Sequence, residues 1–120
     1  MSMRYYYRTN TRNMNRARVD VIEADDSYIV RADVPGYTKE ELTIEADFET
    51  LKISAEREIN EENIKFIHRE RVTNKISRTV TFAKPVNPNA ASVKLDLGVL
   101  EITLPFSEEA KTVKLIPEVN

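Results

Sequence analysis

Residues 28–34 read YIVRADV, with Tyr28, Val30, Ala32 and Val34 alternating against Ile29, Arg31 and Asp33. A period of two sends one set of side chains to a buried face and the other to solvent, so this is a half-buried strand. The same alternation returns in LTIEA (42–46) and LKISA (51–55). Strand-like runs continue in KFIHRERV (65–72), ISRTVTF (76–82), VKLDL (93–97) and VLEITLPF (99–106), and the pattern begins at Val19. Turn-forming stretches such as PGY, NEEN and KPVNPN, together with Gly98, separate them. About eight short strands with no long helical period predict an all-β fold, an immunoglobulin-like antiparallel β-sandwich. Helix is expected only as single turns, at Thr38 with Glu41 and at Asn87-Pro88-Asn89-Ala90-Ala91.

At 120 residues the chain has the length of one domain. Hydrophobic residues at 41% beside charged residues at 32% describe an ordered, well-solvated globular protein. No apolar run approaches the ~20 residues that span a bilayer, and the start MSMRYYYRTN lacks the apolar core of a secretory signal. A cytoplasmic protein without membrane insertion is expected. The absence of cysteine excludes disulfides, thiolate nucleophiles and sulfur-ligated metals.

The net charge of −2 conceals an asymmetry: Arg4, Arg8, Arg12, Arg16 and Arg18 put +5 on residues 1–18, leaving −7 for the remainder. Tyr5, Tyr6 and Tyr7 are interleaved with these arginines. Such an arm suits phosphate neutralisation and base stacking. It also suits a basic tail that folds back on an acidic domain or aids assembly. Five charges are few, and Asn10, Thr11, Asn13 and Asn15 disfavour a helix that would align them, so nucleic acid is not the expected partner.

No constellation for catalysis emerges. The single histidine, His68, has no second imidazole and no cysteine to work with, and reads as a surface or interface residue. Two glycines, Gly36 and Gly98, cannot build a phosphate cradle. Acidic neighbours such as Asp25-Asp26, Glu40-Glu41 and Glu61-Glu62 fall in turns, where solvated carboxylates are routine. No enzyme, cofactor or metal site is expected. One charge stands out by position: in ISRTVTF, parity places Arg78 on the face of Ile76, Val80 and Phe82. An inward arginine needs a carboxylate or carbonyls, which favours a paired, interface-forming side chain over a two-sided strand or a guanidinium that snorkels to the edge.

From Arg18 to Phe106 the sequence resembles the α-crystallin domain of the small heat-shock proteins. RADVPGYTKEELTIEADFETLKISAERE is similar to the family's Ala-Asp-aliphatic-Pro-Gly run, acidic turn and two strands. FIHRERVTNKISRTVTF resembles the segment with Glu70-Arg71, a tight turn and the family's strand arginine, here Arg78, while GVLEITLP matches its most recognisable signature. Asn74 stands where the family usually has glycine, and asparagine tolerates a left-handed turn. Val93 and Leu97 replace a common alanine and asparagine.

The resemblance implies a short arm (1–17), an α-crystallin domain (18–106) with a strand-exchange loop, and a C-terminal extension (107–120). It implies an ATP-independent holdase that binds partly unfolded proteins and assembles through homodimers into larger homo-oligomers. The implied dimer surface joins Ile64, Phe66, His68, Glu70 and Arg78 to Val19 and Val21 of the partner's first strand. In the tail TVKLIP (112–117), Val113 and Leu115 match an aliphatic-x-aliphatic motif that docks on a neighbouring subunit. Its implied acceptor is a groove of Leu42, Ile44, Val93, Leu95 and Leu97. KLIP leaves open a slip that would present Ile116 instead. Tyr5, Tyr6, Tyr7 and Met14 are candidate client contacts. Two further readings are a co-chaperone sandwich of the p23-like kind, which lacks the tail and exchange loop, and a nucleic-acid-associated protein using the arginine arm.

Overall fold

The computed structural model describes residues 16–71, 74–108 and 115–118. Seven strands form: β1 (Val19–Glu23), β2 (Ser27–Asp33), β3 (Leu42–Ala46), β4 (Thr50–Glu56), β5 (Lys75–Thr81), β6 (Ser92–Asp96) and β7 (Val99–Pro105). They make two antiparallel sheets, ordered β1-β2-β7-β6 and β3-β4-β5. The inward faces carry Val30 and Ala32 of β2, Leu51 and Ile53 of β4, and Leu100, Ile102 and Leu104 of β7, all buried. Tyr28 stacks on Phe82 at 4.8 Å and meets Phe106 edge-on at 5.0 Å, closing one end of the core. The alternation of YIVRADV, LKISA and VLEITLP therefore reads directly as the inside and outside of a sandwich.

Register is reinforced outside. Asp20, Arg31, Glu101 and Lys94 lie side by side across the four-stranded sheet, and Arg31 Nε donates to Glu101 Oε2 at 3.1 Å. Opposite charges alternate along this row, so a slip by one residue would break the ladder as well as turn the apolar face outward. Both expected helical turns form as short 3-10 segments. The Thr38 N–H donates to Glu41 Oε1 at 2.8 Å, and Asn87 Oδ1 accepts from the Asn89 N–H at 3.1 Å, with Pro88 first in its turn.

Three expectations are corrected. The described part of KFIHRERV, residues 65–71, is not a strand: residues 64–71 lie in the β4–β5 connection, with a bend at 67–68 and exposed side chains, and Val72 lies outside the described residues. Between Lys65 and Arg71 no backbone-to-backbone hydrogen bond forms among the described residues, and a strand does not exist without a neighbour. Among the described residues the non-glycine residue with positive φ is Leu97 (φ 49°), not Asn74. Leu97 and Gly98 (φ 79°) form the two-residue β6–β7 turn, and positive φ at both positions defines type I′. Leu97 accordingly leaves the strand parity of Val93 and Leu95 and points to solvent, 96% exposed.

Candidate functional site

The sandwich is open along both long edges. On one, β1 pairs only with β2, so its outer backbone edge is free among the described strands. Its inward side chains are Val19, which packs on the core, and Val21, which is 46% exposed because no strand of the other sheet lies above it. What does cross there is the segment just before β1. Arg16 bridges Ser77 in parallel, the Ala17 N–H donates to Ser77 O at 3.2 Å, and Ala17 is buried. This strap ties the four-stranded sheet to β5. Its sequence signal is the apolar triple Ala17, Val19, Val21 at alternate positions, which places Ala17 on the inward face.

Arg78 lies under the strap. As parity predicts, it shares the inward face of β5 with Ile76 and Val80, opposite Ile53. Its Nη1 donates to Ala17 O at 3.4 Å, and its Nε is buried without a hydrogen-bond partner. No carboxylate pairs with it among the described residues. The expected carbonyl partner is present and part of the donor capacity is unmet, a costly arrangement for a guanidinium within a single chain.

From the same end the β4–β5 loop departs. Its base is closed by the Arg57 N–H donating to Asn74 O at 3.0 Å. The Arg57 guanidinium donates to Gly36 O at 2.6 Å and lies 4.7 Å over the Tyr37 ring. Burial pushes the Tyr37 hydroxyl above its ordinary pKa, with Arg57 pulling the other way. Along the loop Ile64 and Phe66 are about half exposed, Ile67 is fully exposed, and His68 Nε2 sits 3.3 Å from Glu70 Oε2. The loop thus carries Ile64, Phe66, His68 and Glu70 together, and β1 carries Val19 and Val21.

The opposite edge is a second opening, between β3 and β6. A groove of about 380 Å³ is lined by Ile44 and Ala46 from one sheet and Val93 from the other, with Leu51, Ile102 and Leu104 as its floor. Pro88, Asn89 and Ala91 of the 3-10 turn close one side, residues whose part in the groove no strand periodicity announces. Ile44 and Val93 are brought together as expected. Leu42 packs on the core from β3 and Leu95 is 36% exposed on β6, both beside the lining rather than in it. Leu97 stands apart in its turn.

Leu115 and Ile116 are 85% and 83% exposed. Val113, Tyr5, Tyr6, Tyr7 and Met14 lie outside the described residues. Among the described residues no group of acidic or histidine side chains is placed to hold a metal, and no helix is long and apolar enough to cross a membrane. The arrangement offers two apolar, backbone-rich edges suited to adding chain segments.

Comparison with known proteins agrees with this geometry. The profile of the Hsp20/alpha crystallin family matches residues 20–118. The 18 kDa heat shock protein of Clostridium acetobutylicum is 32% identical over 111 residues, covering 88% of this chain and 73% of the relative. The 17.8 kDa class I heat shock protein of Arabidopsis thaliana is 38% identical over 104 residues, covering 84% of this chain and 66% of the relative. Some relatives are longer still, with 61% of their length spanned by this chain. Heat shock protein 16.0 of Schizosaccharomyces pombe superposes with a TM-score of 0.63 at 27% identity, covering 87% of this chain and 98% of that one.

Proposed function

The chain belongs to the Hsp20/alpha crystallin family, a family of non-enzymatic, ATP-independent chaperones, and from that premise we propose that it is a holdase. It binds partly unfolded proteins, suppresses their aggregation and assembles from homodimers into larger homo-oligomers in the cytoplasm. Residues 18–106 form the working domain, with the arm and the extension as its assembly and client-binding segments.

The observation that carries this reading is a pair of incomplete elements in one chain. The β1 edge is free, and residues 65–71 have apolar side chains on display and no backbone partners among the described residues. Each supplies what the other lacks once two copies are present. Pairing the segment around Ile64 to Val72 of one copy with β1 of another, near Val19 to Ile22, closes an edge that would otherwise invite uncontrolled association. It also covers Val19 and Val21 with Ile64 and Phe66, and it brings new acceptors toward the buried Arg78 Nε.

The β3–β6 groove gives the extension a destination. Val113 and Leu115 enter it from a neighbouring subunit, with Ile44 and Val93 as walls. Burying two aliphatic side chains yields roughly 3–6 kcal/mol gross. Association costs about 4 kcal/mol or more, so one tail binds weakly and an assembly is held by many. Weak tails exchange, and exchange exposes apolar grooves to clients. Tyr5, Tyr6, Tyr7 and Met14 supply further adaptable contacts.

The decisive experiment heats an aggregation-prone enzyme with and without the full chain, in the absence of ATP, following light scattering and sizing the assembly in parallel. Suppressed scattering from an oligomeric chain is expected. Unchanged client aggregation at a several-fold molar excess would refute the holdase reading.

A further inference from the structure

The β4–β5 loop is internally braced. Glu61 and Arg69, eight residues apart, meet through a two-point fork: Arg69 Nη1 donates to Glu61 Oε2, and Nη2 to Glu61 Oε1 at 2.9 Å. The same guanidinium lies 4.5 Å over the Phe66 ring. Glu61 is the least exposed partner of the loop's ion pairs, its side chain 24% exposed against 41% for Arg69. A turn lies inside the brace, with the Ile64 N–H donating to Glu61 O at 3.1 Å.

A contact of this kind either hides a loop's apolar side chains or holds them out. Here Ile64 is 54%, Phe66 46% and Ile67 97% exposed, so the brace does not tuck them away. It shortens the free span of the loop and leaves the segment after it accessible. Ordering such a loop at the moment of association would be charged against affinity, whereas a loop already ordered avoids that cost.

We infer that the Glu61–Arg69–Phe66 clip is a positioning device that pre-orders the loop for docking on β1 of a second copy of this chain. The inference rests on the strand-exchange reading above and adds residues that touch nothing in β1 themselves. Charge supports the choice of occupant. With Arg69 held by Glu61, residues 65–71 still carry Lys65 and Arg71 against Glu70, while β1 carries Asp20 and Glu23, the latter 3.6 Å from Lys84 Nζ, and no cation of its own. Arginine is required at position 69 because its planar fork meets both carboxylate oxygens while its face covers an aromatic ring, which an ammonium cannot do at once.

The test uses the full chain and its variants Glu61→Gln, Arg69→Lys and the reversed pair Glu61→Arg with Arg69→Glu, with dimer dissociation followed by native mass spectrometry across a dilution series. Each single variant is expected to raise the dimer dissociation constant about threefold to tenfold, the range of an exposed fork plus a cation–π contact. The reversed pair recovers at least half of the loss in logarithmic terms, and the circular dichroism spectrum of the folded domain is unchanged in all three. A dimer indifferent to both single variants, or a reversed pair no better than either, overturns the inference alone. A wild-type chain that stays monomeric at every concentration overturns the strand-exchange reading and the inference with it.

Discussion

Leu97 occupies a left-handed turn position at φ 49° while its side chain is 96% exposed, so replacing it with asparagine removes strain and sacrifices almost no packing. The left-handed conformation costs an ordinary L-residue roughly 1–2 kcal/mol, and asparagine adopts it with much of that penalty relieved. Leu97→Asn should therefore stabilise the fold by about 1 kcal/mol, raising the melting temperature by about 4–8 °C for a domain of this size. Leu97→Ala is the necessary control, because it trims the exposed side chain but keeps the Cβ and hence the strain. Gly98→Ala should move the other way: its φ is 79° and an added Cβ would lie 3.4 Å from Pro35 Cα. Thermal unfolding by circular dichroism at one fixed protein concentration measures all three, since self-association makes melting concentration-dependent. If Leu97→Asn is no more stable than Leu97→Ala, the turn is not strained by its leucine and the reasoning fails.

Arg78→Met removes a buried Nε that has no partner, so the domain's urea midpoint should hold or rise, while the dimer fraction by sedimentation velocity falls; an unchanged dimer would place Arg78 outside the interface. Asp47 Oδ1 accepts from the backbone N–H groups of Glu49 and Thr50 and from the Thr50 hydroxyl, which together hold its carboxyl below the usual aspartate range. A depressed folded-state pKa stabilises above the unfolded value of about 3.9 and is lost as pH falls through the lower folded value. Asp47→Asn should flatten that acid limb in a pH series of urea melts, and an identical limb in the variant would remove Asp47 from the account. Val113→Ser with Leu115→Ser should leave mainly dimers by multi-angle light scattering, and a large oligomer of unchanged mass would dismiss tail docking.

The sandwich was legible in the sequence because its faces are set by parity. Val30, Ala32, Leu51, Ile53, Ile102 and Leu104 alternate with polar neighbours and are buried as that alternation demands. The two short helical turns were legible through side chains that bond their own backbone, Thr38 with Glu41 and Asn87 with Asn89. Parity misled where a strand stopped. Leu97 continues the pattern of Val93 and Leu95 on paper, but the chain has already turned at Asp96. Residues 65–71 have strand-like residues and no strand, because pairing is a property of two segments and none of the described residues pairs with them. The Glu61–Arg69 clip leaves no periodic trace at all, since an eight-residue separation across a turn matches neither a helix face nor a strand face.

The two openings of the sandwich lie on opposite edges, and this decides how they can be used together. The strap of Arg16 and Ala17 crosses from β1 to β5, whereas the groove of Ile44 and Val93 lies between β3 and β6. In the proposed assembly, tail docking and strand exchange would therefore not compete for the same surface, and a dimer would retain two free grooves. Their strengths also differ in kind. In the proposed assembly, strand exchange would add backbone hydrogen bonds along the whole of β1 to apolar contacts at Val21, while the tail would gain chiefly from two aliphatic side chains, roughly 3–6 kcal/mol gross. Heating or dilution should open the weaker contact first, releasing dimers whose domains remain folded around the same core. In such a dimer the β3–β6 groove, lined by Ile44, Ala46 and Val93, would be uncovered and would join the exposed Phe48 and Leu97 as apolar surface for an unfolding client to meet.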